Sequence, residues 1–167
     1  MTEKTITVLE GDQTGQELLE ESLRVLDSAV TGVPTRLERF DLSLEKRRAT
    51  NNAIVREAAA AMRQSGLGLK AATVTPETKG DVGSPNAILR EEIDGKVILR
   101  TGRRIPRVRP IGGVHSPIAI VRMAVDDAYG AKEWREVTSG GDEVAYRTEH
   151  ISRATCRAVA EFAFQYA

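Results

Sequence analysis

The sequence predicts an α/β fold, a mostly parallel sheet with flanking helices. Three observations carry that expectation. The first 75 residues alternate short, β-rich apolar runs with stretches of helical periodicity, in the order strand-helix-strand-helix-strand. Hydrophobic residues make up 41% and charged residues 29%, ordinary globular usage that argues against wholesale disorder. A length of 167 residues suits one domain.

Each element has its own signal. Thr5 to Leu9 (TITVL) reads as a buried strand, and Glu10 to Gly15 as a turn. Leu18, Leu19, Leu23, Val25, Leu26 and Val30 recur at helical spacing, predicting a helix from about Gln16 to Val30, broken by Gly32-Val33-Pro34. Thr35 to Leu42 alternates as a second strand. Thr50 or Asn51 can cap a helix through Ala53, Ile54, Ala58, Ala61 and Met62, closed by Gly66. Leu67 to Val74 reads as a third buried strand, followed by a loop to Gly83. Ser84-Pro85 opens a short helix, with Pro at a tolerated early position. Lys96 to Arg100 and Ile118 to Val125 are strands joined by a Gly/Pro/Arg-rich connection. Val137 to Gly141 is a loop, Glu143 to Arg147 a short strand, and Ile151 to Ala167 an amphipathic helix.

Composition narrows the function. The 24 bases balance 24 acids, so the long-range field of a general nucleic-acid binder is absent. The longest apolar run, Ala58 to Met62, is far short of the ~20 residues of a membrane span. The start, Met1-Thr2-Glu3-Lys4, leads directly into a strand, so no signal peptide is expected. The single cysteine, Cys156, allows no internal disulfide and fits a reducing cytoplasm. Only six bases are Lys, the rest Arg; this is either codon bias or a use for planar carboxylate-binding forks.

Several residues bear chemistry. Gly11-Asp12-Gln13-Thr14-Gly15, between strand and helix, either presents N–H groups to an anion or is a structural turn. Ser84, Asn86 and Arg90 can converge from one helix start on a hydroxyl or carboxylate. Arg100 ends the next strand. Arg122 sits in an otherwise apolar strand, so it needs an anionic partner or an opening to solvent. Three Arg from three elements can hold a di- or tricarboxylate, or they can be ordinary ion pairs with Glu. Arg100, Arg103, Arg104, Arg107 and Arg109 place five bases in ten residues without interleaved aromatics, a solvated or interface loop. Asp126-Asp127, His115 and His150 lack metal-cage spacing, and Cys156 reads as packing.

Together these residues resemble the isocitrate/isopropylmalate dehydrogenase family, the metal-dependent β-decarboxylating dehydrogenases. Leu9 to Glu17 is similar to that family's opening Gly-Asp-Gly-Ile-Gly-Pro-Glu turn, with Gln13 in place of a glycine. Leu69-Lys70 and Thr75-Pro76 resemble its Leu-Lys-Gly-Pro…Thr-Pro segment. Ser84-x-Asn86-x-x-x-Arg90 followed by Arg100 resembles its substrate motif. Arg122 and Tyr129 share the spacing of its third substrate Arg and catalytic Tyr, and Tyr129 to Trp134 resembles its Tyr-x-Gly-x-Glu-Trp run. The terminal helix resembles its interface helix.

The resemblance implies roles. Arg90, Arg100 and Arg122 would clamp the carboxylates of a 3-substituted malate such as isocitrate. Ser84 and Asn86 would orient its distal group, and Thr75 would lie near the nicotinamide of NAD or NADP. Tyr129 would protonate the enolate, with Mg or Mn as Lewis acid. It also implies that residues 1–100 begin a large α/β domain and residues 101–167 a small interface domain. The family's catalytic Lys, metal-binding Asp residues and adenosine loop have no counterpart here. Three readings follow: one half of a split enzyme working with a complementary C-terminal-half chain, a non-catalytic carboxylate-binding or regulatory module, or a truncated product. Homo-oligomerisation is expected, because Phe162, Phe164 and Tyr166 cannot all face one core.

Overall fold

The computed structural model describes residues 2–78, 80–113, 116–126 and 131–167. The chain forms two compact units, Met1–Asp94 and Gly95–Ala167. Among the described residues no helix is long and apolar enough to cross a membrane.

The first unit is built around β1 (Lys4–Glu10), which pairs in parallel with β2 (Thr35–Asp41) on one side and β3 (Gly68–Lys70) on the other. Its helices are α1 (Gln13–Val25), α2 (Ser28–Thr31), α3 (Leu44–Ala49), α4 (Ala53–Ser65) and α5 (Pro85–Glu92). Side chains alternate across a strand, so Val8 and Leu9 face opposite ways. Both are fully buried. Val8 packs with Leu19 and Leu23 of α1 and with Ala71. Leu9 packs with Leu42, with Val55, Ala58 and Ala59 of α4, and with Leu89 of α5. Helices therefore cover both faces of β1, which reads as a continuous apolar run for that reason.

The turn after β1 is structural. A Cβ on Gly11 would lie 2.1 Å from the Ala72 carbonyl oxygen, and one on Gly15 would lie 2.5 Å from it. The Gly11 N–H donates to Gln16 Oε1 at 2.9 Å, and the Asp12 N–H to the Ala72 carbonyl at 3.1 Å. The Gly15 N–H donates to the Asp12 carbonyl at 3.0 Å, so these three donors of the turn are spent inside the protein. Gln13 sits at φ 49°, in the left-handed region where glycine is easiest.

Several expected boundaries move. The first helix stops at Val25; Asp27 then caps the four-residue α2 by accepting the Ala29 N–H at 2.7 Å. The apolar Val30 that extended the pattern is 68% exposed. Helix α3 was not expected, since six residues hold too few turns to show a period; Ser43 caps it. Neither Thr50 nor Asn51 is the cap of α4. That place falls to Asn52, at φ 61°. Gly66 does close α4, at φ 70°. The third strand is only Gly68–Lys70, because from Ala72 onward the chain is drawn to Asp12 and away from β1.

The second unit pairs β4 (Val97–Gly102) with β5 (Ile118–Met123) and β6 (Lys132–Val137) with β7 (Glu143–Thr148), both antiparallel. Helix α6 (Arg153–Tyr166) packs on β4 and β5. Its cap is Ser152, whose Oγ accepts the Thr155 N–H at 3.0 Å. No strand signal marks β6 in the sequence, since KEWREV carries no apolar run. It is held by surface pairs: Trp134 stacks on Tyr146 with centroids 5.0 Å apart, Arg135 meets Glu143 at 2.8 Å, and Arg147 meets Glu133 at 3.1 Å.

Two substitutions test the turn by urea unfolding. Gly15→Ala should destabilise the chain by about 1–3 kcal/mol, because Ala72 backbone cannot retreat from the new methyl group. Gln13→Gly should raise stability by up to about 1 kcal/mol, since relief of the left-handed strain exceeds the added chain entropy. A loss of stability in Gln13→Gly would show that the side chain, not the backbone angle, decides that position.

Candidate carboxylate-binding site

Asp12 and Arg47 form the frame of the first unit's site. Asp12 Oδ1 accepts the Leu44 N–H at 2.9 Å, and Oδ2 accepts the Val74 N–H at 2.8 Å. One carboxylate thus joins the β1–α1 turn, the start of α3 and the loop after β3. The Arg47 side chain is fully buried and lies 3.9 Å from Asp12 Oδ2. Its Nε donates to the Leu42 carbonyl at 3.0 Å, Nη1 to the Gly83 carbonyl at 2.9 Å, and Nη2 to the Val74 carbonyl. Burial pushes the Arg47 pKa down, while Asp12 and Asp81 pull it back up. The loop gains two further ties from the α3–α4 corner: Asn52 Nδ2 donates to the Val82 carbonyl at 2.9 Å, and Arg48 pairs with Asp81 at 2.6 Å. Arg48 holds the Asp81 carboxyl below its usual range.

Ser84, Asn86 and Arg90 follow from this frame. Ser84 is the N-cap of α5, its Oγ accepting the Asn86 N–H at 3.3 Å. Pro85 is buried at the first helical position and fixes the entry of the chain. Asn86 and Arg90 are four residues apart, on one helix face. Leu89, on the core side, anchors the helix against α4.

Lys70 was not singled out as a binding residue from composition or periodicity, and it belongs to this group. It ends β3, at the carboxyl end of the parallel strands, where open α/β sheets bind ligands. Its Nζ donates to the Ala71 carbonyl at 2.9 Å and to Thr73 Oγ1 at 3.0 Å. Burial pushes its pKa down to about 8; Arg47 and Arg90 push the same way, and Asp12 opposes them. A base closing an apolar strand was the signal available in the sequence. Thr75, one residue beyond the Val74 clamp, is exposed.

In the second unit the strand register groups two of the expected residues. Arg100 stands opposite Ile120 and Arg122 opposite Ile98. Directly paired residues share a face, and so do residues two apart, so Arg100 and Arg122 are diagonal neighbours on one face of the β4–β5 pair. Both are exposed, so Arg122 reaches solvent although its sequence neighbours are apolar. Tyr129 and His115 lie outside the described residues. Arg103, Arg104, Arg107 and Arg109 are exposed along the connection. Cys156 is exposed on α6 instead of packed. Asp126 is engaged at the start of that helix: it accepts the Ser152 N–H at 3.2 Å and faces His150 at 3.4 Å. The Thr155 hydroxyl, with Ser152, holds its carboxyl below the usual range. Among the described residues no three His, Cys, Asp or Glu side chains gather to hold a metal ion. The described residues therefore do not by themselves fit the Mg or Mn ion that the resemblance implies.

Comparison with known proteins adds an independent line. The family profile described as isocitrate/isopropylmalate dehydrogenase matches residues 5–167. The mitochondrial protein "Isocitrate dehydrogenase [NAD] subunit 1" of Schizosaccharomyces pombe is 27% identical over 164 residues, covering 98% of this chain and 44% of that protein. The NADP-dependent isocitrate dehydrogenase of Sphingobium yanoikuyae is 34% identical over 115 residues, covering 62% of this chain and 28% of that protein. A solved isocitrate dehydrogenase from Ostreococcus tauri, in complex with isocitrate and magnesium(II), shares the fold with a TM-score of 0.73 at 20% identity, over 98% of this chain and 49% of its own. The chain spans less than half the length of the relatives it matches. A profile match running from the first strand to the last residue leaves one conclusion: this chain belongs to the isocitrate/isopropylmalate dehydrogenase family.

Proposed function

We propose that the chain is the carboxylate-binding half of an NAD- or NADP-dependent, decarboxylating dehydrogenase body, and that it is inactive alone. The observation that carries this reading is the cationic group at the carboxyl end of the parallel sheet. There Lys70 feels Arg47 and Arg90, and Asn86 and Ser84 share the helix start. Lys70 and Arg90 supply charge for a carboxylate, and Asn86 and Ser84 supply polar groups for its distal end. Arg100 and Arg122 offer a second pair of guanidinium groups on one sheet face. The ligand class is a di- or tricarboxylate such as isocitrate.

In this reading Thr75 borders the nicotinamide and Tyr129 is the general acid for the enolate. A metal held outside the described residues would supply Lewis-acid chemistry. Its ligands, the catalytic Lys and the adenosine loop come from a complementary half, whether in a second chain or in further sequence. The chain's length relative to its relatives supports this, as do the large apolar side chains left exposed, Ile118, Ile120 and Phe164 among them. A non-catalytic carboxylate-binding module is the second reading, and the same cationic group supports it.

Two measurements test the binding claim. Isocitrate in excess should raise the melting temperature of the parent chain without metal or nucleotide, by mass action. Arg90→Ala should weaken the affinity by roughly 10–100-fold, the loss of one charge-assisted hydrogen bond. An equal response in Arg90→Ala would remove the cationic group from the argument. Adding the complementary half should then yield isocitrate-dependent reduction of NAD or NADP. A reconstituted body that binds isocitrate yet reduces neither nucleotide would favour the non-catalytic module.

Lys70 adds a pH dependence. Its folded value, about 8, lies below the ordinary 10.5, so the folded chain releases this proton first. Stability relative to Lys70→Met is therefore lowest below pH 8 and recovers as pH rises through about 8 towards 10.5. Carboxylate affinity should move the opposite way, falling above pH 8 as the ammonium loses its charge. Isocitrate titrations across that range in parent and Lys70→Met check it; a flat parent profile would exclude Lys70 from the ligand.

A further inference from the structure

We infer that Arg47 is a positioning residue: its guanidinium sets the separation of the loop carrying Thr75 from the turn carrying Ser84, and thereby the geometry of the carboxylate site. The inference rests on the carboxylate-binding reading and assigns to it a residue that no ligand would touch.

Arg47 is a full charge with no solvent exposure, in a helix of only six residues. Its nearest carboxylate oxygen, on Asp12, is 3.9 Å away, beyond hydrogen-bond reach. Its donors go instead to three backbone carbonyls, those of Leu42, Gly83 and Val74. Burying a cation in this way is costly, and packing alone would be served as well by an apolar side chain of similar volume. What an apolar side chain cannot do is hold three carbonyls in one plane. The guanidinium is rigid, so its Nη1 and Nη2 fix Gly83 and Val74 relative to each other.

Those two carbonyls are well placed for control. The Val74 carbonyl carbon is bonded to the nitrogen of Thr75, and the Gly83 carbonyl carbon to the nitrogen of Ser84. Each clamp therefore lies one peptide plane from a candidate binding residue. Gly83 stands at φ 63°, so its carbonyl is aimed by a backbone angle that other residues resist. Between the clamps, the described residues of 75–82 form no helix or strand. The other ties on the loop are single-sided: Asp12 holds Val74, Arg48 holds Asp81, and Asn52 holds Val82. Arg47 alone among these four grips both ends.

The test is amide hydrogen exchange on the full chain, with isocitrate affinity as a second readout. Arg47→Lys keeps the charge and loses the fork. Arg47→Met loses the charge and keeps most of the volume. In both, exchange should quicken about tenfold or more at the amides of Val74, Thr75, Ser84 and Asn86, while β1 and α4 stay protected and the melting temperature holds within a few degrees. Isocitrate affinity should fall about tenfold. Arg48→Ala, which breaks only the pair with Asp81, should leave the amides of Ser84 and Asn86 unchanged. Parent-like protection of both segments in Arg47→Lys and Arg47→Met would overturn the inference. So would a loss spread evenly over β1 and α4 in both variants, which would make Arg47 a support of the whole unit. The exchange arm needs no ligand. A parent chain that binds no isocitrate would thus defeat the carboxylate reading while leaving the positioning role to be decided by exchange.

Discussion

Asp12 stands where three segments of the first unit leave the sheet, and its carboxylate accepts a backbone N–H from two of them while belonging to the third. Everything at the carboxyl end of the sheet is arranged around that point. Leu44 is held so that α3 begins there, α3 delivers Arg47, and Arg47 reaches the carbonyls that precede Thr75 and Ser84. The glycines on either side of Asp12 are a consequence. Gly11 and Gly15 have no side chains because the backbone of Ala72 occupies that space, and Ala72 is there because Val74 is tied to Asp12. The aspartate of this turn thus faces outward from it, to the N–H groups of the two neighbouring segments.

The two units reach order by different means. The first has two apolar clusters, one on each face of β1, so that Val8 and Leu9 of its central strand are fully buried. The second has strand pairs whose side chains are largely exposed and one helix with a single buried residue, Thr155. Its local definition comes from strand register, the Trp134–Tyr146 stack and the Ser152 cap. Its large apolar side chains, among them Ile118, Ile120 and Phe164, stand exposed, on a chain that spans less than half the length of its relatives.

The sequence disclosed much of this, and its failures have physical causes. The strand-helix-strand order, the Ser84 cap with Pro85 behind it and the Gly66 stop were all legible, because each rests on local backbone chemistry. Helix α3 and strand β6 were not. The first is too short for periodicity, and the second is held by cross-strand pairs that no single strand displays. The third strand was drawn too long because apolar residues after Lys70 serve a loop tied to Asp12, not a ladder. Of the site, the spacing of Asn86 and Arg90 was visible as a helix face, whereas the grouping of Arg100 with Arg122 emerged only from register. Arg47 was invisible, since nothing in the run Leu44 to Ala49 tells an Arg that is wholly buried from one in water.

The parallel pairing of β1 has a further consequence, for the order in which this chain acquires structure. β1 meets β2 through Lys4 and Thr35, and β3 through Thr7 and Gly68, so neither partnership can close as a local hairpin. Each must wait for a crossover segment to emerge and pack, at the entropic expense of a long loop. The sheet's last strand and the helix Leu89 anchors both lie before residue 95, where the first unit ends. During synthesis, the pieces that bury Val8 and Leu9 are therefore all made before the first residue of the second unit. Until Gly68–Lys70 arrives, β1 carries an open edge, and it is in that interval that a nascent chain is most exposed to pairing with the wrong strand.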